Sequence, residues 1–446
     1  MAARINLLFH TMTSSAQQKL NPSEIRFEPA SLVDPFGKVF YYRNDVYRAI
    51  KPERVELCRD LLKKSGKWEK YGLVKTKAMP FILEGYPLTI WHKRIEFNNY
   101  CSEWTPEMLR DAALLFLKFN QKLLKDGYIC KDAHPWNIFF DYTRPIYIDI
   151  GSITPYEPDL FLNSMNEFIL YFLLPLVLFK KKGVEHTYKF LAEPIPNHEL
   201  RRKVADRMID GEIYKWLNSF KAKTVLKRFR KFISTFNLDT VHTTEWSHYD
   251  QREVSVKRPQ RFTKKQSAVF NFLNKCPPKD ILDVGCNKGW FSNLAEDLGF
   301  RVVAFDNDIP AISEFYKKCK KGKKRILTLY NDFNQLTPAH GLNNVYPSFE
   351  ERFSFSVVLA MAVVHHLSFN AGMDFDDIAR RMKSLCQKYL IIEFIPANDR
   401  YVKEWDHKDK DWYTRQNFIK TFLKYFDKFT VVNSSPAPRE VFLFSK

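Results

Sequence analysis

Ile281-Leu282-Asp283-Val284-Gly285-Cys286-Asn287-Lys288-Gly289-Trp290-Phe291 decides how this chain is read. An apolar run ends in an acidic residue, crosses two glycines and opens onto a segment of helical spacing, Phe291 to Leu298. About fifteen residues later a second apolar run, Val302-Val303-Ala304-Phe305, ends in Asp306. Strand, glycine turn, helix, strand and terminal acid open a doubly wound sheet whose ligand sits at the carboxyl ends of the strands. The glycines let the backbone approach that ligand closely, and Asp306 stands where a ribose hydroxyl pair is held.

Two cofactors compete for this layout. A dinucleotide site wants G-x-G-x-x-G, so that backbone amides and a helix N-terminus meet a pyrophosphate. Here the pattern is Asp283-x-Gly285-x-x-x-Gly289, with an acid leading and no third glycine. A carboxylate at that point suits a cationic ligand better than a diphosphate. The D-x-G-x-x-x-G form resembles the first motif of class I S-adenosylmethionine-dependent methyltransferases.

Later segments agree with that reading. Ile326 to Tyr330 has the pattern of a third strand ending in Asn331-Asp332, and Phe355 to Leu359 that of a fourth, followed by Ala360 to Leu367 with its pair His365-His366. Tyr389 to Ile392 reads as a fifth strand ending at Glu393-Phe394, and Val441 to Phe444 as the last. Short apolar runs alternating with helical stretches are what a three-layer α/β domain requires. The expected fold class is α/β: a C-terminal Rossmann-like methyltransferase domain preceded by an α+β, mainly helical and kinase-like N-terminal domain.

At 446 residues the chain exceeds one ordinary domain. Its 45% hydrophobic and 27% charged residues are a normal globular composition. The most apolar stretch, Phe168 to Phe179, contains Pro175 and is too short for a membrane span, so a buried helix is expected. The N-terminus lacks a signal pattern, and seven cysteines without a C-x-x-C pair fit reduced thiols, so a cytoplasmic protein is expected. The net charge of +19 admits a nucleic-acid partner. Clusters such as Lys180-Lys181-Lys182 and Lys227-Arg228-Phe229-Arg230-Lys231 come with no known nucleic-acid module, however, and solvated basic surfaces are the preferred reading.

The expected organisation is a loose terminus over residues 1–25, an accessory domain over 26–238 and the methyltransferase domain over 239–446. Within the second, Val39 to Tyr42 and Val46 to Ile50 flank Arg43-Asn44-Asp45 as a hairpin. Thr105-Pro106 caps a helix to Leu124, Ile146 to Ile148 is a short strand, and Leu160 to Phe236 reads as helices.

The same half carries a second constellation. Asp132 and Asn137, in Lys131-Asp132-Ala133-His134-Pro135-Trp136-Asn137, are followed by Asp149-Ile150-Gly151, the catalytic-loop and metal-loop spacing of kinase-like folds. Asp132 would accept a hydroxyl proton, while Asn137 and Asp149 would hold Mg²⁺ on the phosphates of ATP. Against phosphotransfer stand the missing G-x-G-x-x-G loop and the arginine of Val46-Tyr47-Arg48 where a lysine is wanted. Glu53 and Glu56 are the acids expected to pair with Arg48. A degenerate kinase-like module and an unrelated helical domain are the other readings, and Asp132 and Asn137 can equally be the caps of a turn.

Across nearly its whole length the chain resembles bacterial class I methyltransferases related to the host-specific nodulation protein NoeA. The residues that carry this are Val33 to Phe40, Val46-Tyr47-Arg48, Glu103-Trp104, Asp111 to Leu114, Lys131-Asp132-Ala133, Asn137-Ile138 and Ile148-Asp149. In the C-terminal half they are Trp246-Ser247, Tyr249, Asp283 to Gly289, His365-His366-Leu367 and Glu393 to Pro396. The resemblance implies S-adenosyl-L-methionine as cofactor and a methylated glycan or small molecule as product.

Methyl transfer from a sulfonium is an in-line displacement, so the protein must chiefly align the two reactants and exclude water. If the acceptor is a sugar hydroxyl, a base assists. His365 or His366, just after the fourth strand, is the first choice for that base and Glu393 the second, and a purely structural histidine pair is the alternative. The cofactor set is Asp283, Gly285, Asn287 and Gly289 from the glycine loop, Asp306 for ribose and Asp332 for the adenine edge. Asn331-Asp332 can also be an ordinary turn. Trp246 and Tyr249 are expected to close over the cofactor, with packing of the domain entrance as the alternative. No metal ligand set is certain.

Overall fold

The computed structural model describes residues 18–182, 187–188, 191, 198–238, 256–277, 279–405 and 408–446. Its N-terminal half begins with an antiparallel sheet of β1 (Arg26–Phe27), β2 (Gly37–Tyr42), β3 (Asp45–Ile50), β4 (Thr76–Ala78) and β5 (Leu88–His92), in the order β1-β2-β3-β5-β4. Arg43 and Asn44, both left-handed at φ 48° and 68°, make the two-residue turn between β2 and β3. A right-handed strand twist favours that turn, and asparagine tolerates it at little cost. Helix α1 (Val55–Trp68) follows β3 and buries Val55, Cys58, Leu61, Ser65 and Trp68, a stripe at helical spacing.

Helix α2 (Pro106–Leu123) starts as expected, with Thr105 Oγ1 accepting the Met108 N–H and Pro106 in the first turn. It packs under two small ribbons that carry the kinase-like motif. One pairs β6 (Tyr128–Cys130) with β9 (Ile153–Pro155), the other β7 (Ile138–Asp141) with β8 (Arg144–Tyr147). Beyond them α3 (Pro158–Phe168) continues through a π-helical turn (Ile169–Leu173) into α4 (Leu174–Lys182). The turn lies just before Pro175, which lacks an N–H for the helical ladder. This helix is long and apolar enough to cross a membrane, yet 72% of its apolar window is buried within the protein. Helices α5 (His198–Met208), α6 (Gly211–Ser219) and α7 (Ala222–Ser234) complete this half.

The C-terminal half opens with α8 (Lys264–Leu273) and is built on β10 (Asp280–Val284), β11 (Arg301–Asp306), β12 (Ile326–Tyr330), β13 (Phe355–Ala360), β14 (Cys386–Phe394), β15 (Lys428–Asn433) and β16 (Glu440–Ser445). The sheet order is β12-β11-β10-β13-β14-β16-β15, parallel through β14 and antiparallel at β16. Strand order reverses at β10, so the carboxyl ends of β10, β11 and β13 open a crevice there. Helices α9 (Trp290–Asp297), α10 (Ile309–Gly322), α11 (Val364–Phe369), α12 (Phe375–Leu385) and α13 (Arg415–Phe422) flank the sheet. Strand β15 is the strand of this sheet that the sequence reading passed over. It lies at the sheet edge with mostly half-exposed or exposed residues, which leaves a weak apolar signal.

One core runs through both halves. Trp104, Phe116 and Phe140 belong to the same buried cluster as Leu327, Leu329, Phe349 and Phe353. Phe140 meets Tyr316 edge-on at 6.2 Å, and Tyr188 stacks on Tyr330 at 4.2 Å. All seven cysteines are buried and free.

Candidate active site

The loop after β10 is held open by left-handed residues. Gly285 has φ 65°, Asn287 φ 49° and Gly289 φ 76°. A Cβ at Gly285 would lie 2.8 Å from Val363 Cγ2, so the close approach of the two loops itself requires glycine. Gly289 serves packing instead: its Cβ would sit inside the Phe315 ring of α10, at 1.9–2.2 Å. It is the residue that lets α9 start flush against its neighbour.

Asp306, at the end of β11, fastens this loop. Its Oδ2 accepts the Asn287 N–H at 2.6 Å and its Oδ1 accepts the Asp308 N–H at 2.8 Å. Those amides favour the ionised form, but burial dominates and raises the carboxyl pKa to about 6. A carboxylate offers about four lone-pair positions, so acceptor capacity remains for hydroxyls. Asp283 lies behind the loop. It takes the Ser292 hydroxyl of α9 at 2.5 Å, and burial with the nearby Asp306 charge pushes it up to about 7.

The crevice is a cavity of about 470 Å³ lined by Gly285, Asn287, Asp306, Asp332 and His366 among the expected site residues. Asp283, Gly289, His365 and Glu393 are not on its wall. At the end of β12, Asn331 Oδ1 accepts the N–H groups of Asp332 and Thr337, and Asp332 Oδ1 accepts that of Asn334 at 2.8 Å. The turn alternative for Asn331-Asp332 therefore describes its backbone, while Asp332 still faces the cavity. After β13, Ala362 takes φ 57°, an unusual conformation for a residue with a Cβ, and directs Val363 over Gly285.

A methyltransferase domain model matches residues 249–431, the span that carries the parallel strands β10 to β14 and the cavity. The chain is an S-adenosylmethionine-dependent methyltransferase. Nodulation protein NoeA of Rhizobium meliloti (strain 1021) is 25% identical over 412 residues, 84% of this chain and 86% of the relative. Among solved structures, the PH0226 protein of Pyrococcus horikoshii OT3 is 14% identical, with 46% of this chain and 99% of that chain covered at a TM-score of 0.35. The bifunctional kinase-methyltransferase WbdD is 15% identical, with 40% and 38% covered at 0.30.

At the mouth of this methyltransferase's cavity, His366 pairs through Nδ1 with Asn370 Nδ2 at 3.3 Å and lies 5.0 Å from the Trp405 ring. Burial lowers its pKa to about 4, so it is neutral at physiological pH. His365 is buried behind it, stacked on Trp405 at 5.4 Å, with Nδ1 unpartnered. Burial, then the charges of His366, Arg439 and Lys265, hold it well below the usual histidine range. Glu393 is fully buried and already engaged. Lys265 Nζ is 2.7 Å from its Oε2, and Ser434 Oγ donates to Oε1 at 2.7 Å. Its carboxylate joins α8 to the β15–β16 turn.

Sequence reasoning missed Asn307, Asn334, Asn370 and the Met361-Ala362-Val363 turn, all on the cavity wall. Two of these had a signal: Asn307 directly follows the strand-ending acid, and Asn370 is one helical turn after His366. Trp246 and Tyr249 lie outside the described residues.

In the N-terminal half, Arg48 of β3 is buried, with Asp149 Oδ1 at 2.7 Å and Asp34 Oδ2 at 3.6 Å. The expected partners Glu53 and Glu56 are replaced because Arg48 points under the sheet toward the β8–β9 loop, while Glu56 pairs with Arg59 on the helix surface. Asp149 Oδ1 also accepts the Gly151 N–H at 3.0 Å. Asp132 donates its backbone N–H to Ser152 Oγ, and burial raises its carboxyl pKa, with Asp149 and Asp34 adding to the rise. The Asn137 N–H caps a short turn on the His134 carbonyl. Among the described residues no group of three or more His, Cys, Asp or Glu side chains is arranged to hold a metal.

Proposed function

We propose that this methyltransferase O-methylates a hydroxyl of a glycan or small-molecule acceptor. Asp306 would hold the ribose of S-adenosylmethionine, Asp332 the adenine edge, and Gly285 and Asn287 the loop beneath them. When bound, the cofactor supplies a methyl group already activated on a sulfonium. The chain's own residues orient the acceptor, exclude water and take up its proton. The observation that carries the reading is His366: it is the neutral imidazole on the cavity wall, whereas Glu393 is committed to Lys265 and Ser434. The acceptor hydroxyl would give its proton to His366 Nδ1, the acceptor nitrogen beside the Asn370 amide, as its oxygen takes the methyl group and the carbon–sulfur bond breaks with the pair staying on sulfur.

Methyl incorporation from labelled cofactor into glycan and small-molecule fractions tests this. His366→Gln should lower kcat by about 10²-fold or more, with cofactor affinity unchanged. Label appearing on nitrogen, or full activity in the variant, would contradict it.

For the N-terminal half we infer a supporting role in place of ATP- and Mg²⁺-dependent phosphotransfer. What supports this is the Arg48 guanidinium on Asp149, which neutralises the carboxylate that a phosphotransferase would commit to Mg²⁺. Mg²⁺-dependent ATP turnover that disappears in Asp149→Ala would reverse this inference.

A further inference from the structure

Helix α7 has two unlike faces. Ala222, Val225, Leu226, Phe229 and Ile233 are buried, and the helix packs on α2 through this side. The other side carries Lys223, Lys227, Arg228, Arg230 and Lys231, every one exposed. From Phe220 to Leu238 the chain contains no acidic residue at all. Positions 223, 227, 230 and 231 recur at helical spacing, so their charges lie along one stripe.

Elsewhere in the molecule a number of basic side chains are matched by acids. Lys320 meets Asp111 at 2.5 Å, Arg439 meets Asp399 at 2.8 Å and Lys324 meets Glu296 at 2.7 Å. Among the described residues none of the five α7 cations has an ion-pair partner. Arg230 donates to the neutral Gln121, and Arg228 lies over the Phe220 and Trp216 rings at 4.0 and 5.8 Å. Just past the end of α7, Lys180 of α4 lies over the Phe236 ring, and Lys181 donates to the Met208 carbonyl. The cations at the start of α7 also oppose the helix dipole, which favours acids there. Water and salt screen such self-repulsion, and a dense anionic surface relieves it further.

We propose that the basic face of α7 and the end of α4 dock this methyltransferase on an anionic phospholipid surface. Two features favour lipid headgroups over a nucleic acid. The surface is the convex side of a helix, where a single strand would find no channel to follow. Beside it Phe220 is a solvent-exposed aromatic next to Lys221, the pairing of apolar ring and cation that suits a headgroup boundary. Docking is peripheral and requires no spanning segment. It sets the enzyme where a lipid-linked acceptor would be presented, but does not depend on the identity of that acceptor.

Flotation of the full chain with phosphatidylcholine vesicles, and with the same vesicles containing phosphatidylglycerol, tests the assignment. Binding is expected only to the anionic vesicles and is expected to weaken as salt rises. Each cation near such a surface is worth roughly fivefold in partitioning. Replacing Lys223, Lys227, Arg230 and Lys231 by Gln together should therefore reduce binding at least about a hundredfold, with cofactor affinity unchanged as the sign of an intact fold. Equal binding to both vesicles, no binding to either, or anionic binding that survives the fourfold change would each overturn the proposal. A single-stranded RNA that binds the native chain more tightly than the anionic vesicles, and is lost in the variant, would also overturn it by identifying a different polyanion.

Discussion

Arg352 and Glu103 form a buried ion pair that ties the two halves of the chain together. The Arg352 side chain is 2% exposed and that of Glu103 0%. Arg352 also donates to the Asn98 carbonyl at 2.6 Å and lies 3.8 Å from the Tyr100 ring centroid, while Glu103 accepts the Tyr100 N–H. Arginine suits this position because its planar fork serves a carboxylate, a carbonyl and an aromatic face together.

Removing one member of such a pair leaves a buried charge alone, which costs about 3–5 kcal/mol. Glu103→Ala should lower unfolding stability by that order in a urea titration. The double change Glu103→Gln with Arg352→Met should cost clearly less, because no charge is stranded. Equal losses in the two proteins would show that packing, and not charge, holds the halves together.

The two loop glycines should fail in different ways. Gly289→Ala drives a methyl into the Phe315 ring at a left-handed backbone position. Overpacking alone costs about 1–3 kcal/mol, so a fall in melting temperature is expected. Gly285→Val displaces Val363 from the cavity wall and should abolish cofactor binding with a smaller change in melting temperature. Calorimetry and thermal unfolding of both variants separate the outcomes.

Much of this site was legible in the chain because strand ends and glycines leave local marks. Asp306, Gly285 and Asn287 sit where the strand-turn-helix pattern put them, and the five parallel strands follow apolar runs. What was not legible came from distance in sequence. Glu393 reads as a free acid until Lys265 and Ser434, far away along the chain, close on it. Asp283 reads as a ligand-facing carboxylate until Ser292 turns it inward. Likewise Arg48 has acids close by in sequence, yet its partner Asp149 is brought by the fold.

Cofactor binding should depend on pH. Burial raises Asp306 to about 6, above the ordinary range near 3.9 for a free aspartate, so the folded protein holds the proton more tightly than the unfolded chain. The stabilising share of this group is therefore complete below about pH 4 and is lost as pH rises through about 6. A ribose hydroxyl donates best to the ionised form, so affinity should run the opposite way. Between pH 5.5 and 7.5 the ionised fraction of Asp306 rises about fourfold, and the dissociation constant should fall by up to the same factor. Titrations at the two pH values in buffers of different ionisation enthalpy would also detect the proton released. A flat profile would remove Asp306 from the contact.

The most direct measurement is calorimetric titration of the full chain with S-adenosylmethionine, repeated with Asp306→Asn. The account predicts saturable one-site binding by the native protein. It also predicts an affinity about tenfold or more weaker in the variant, the loss expected for a charge-assisted hydrogen bond, with some fall in melting temperature because asparagine keeps only one of the two oxygens that accept the Asn287 and Asp308 N–H groups. Native binding that Asp306→Asn leaves intact, or no binding by the native chain, would contradict the assignment of the crevice between β10, β11 and β13 as the cofactor site.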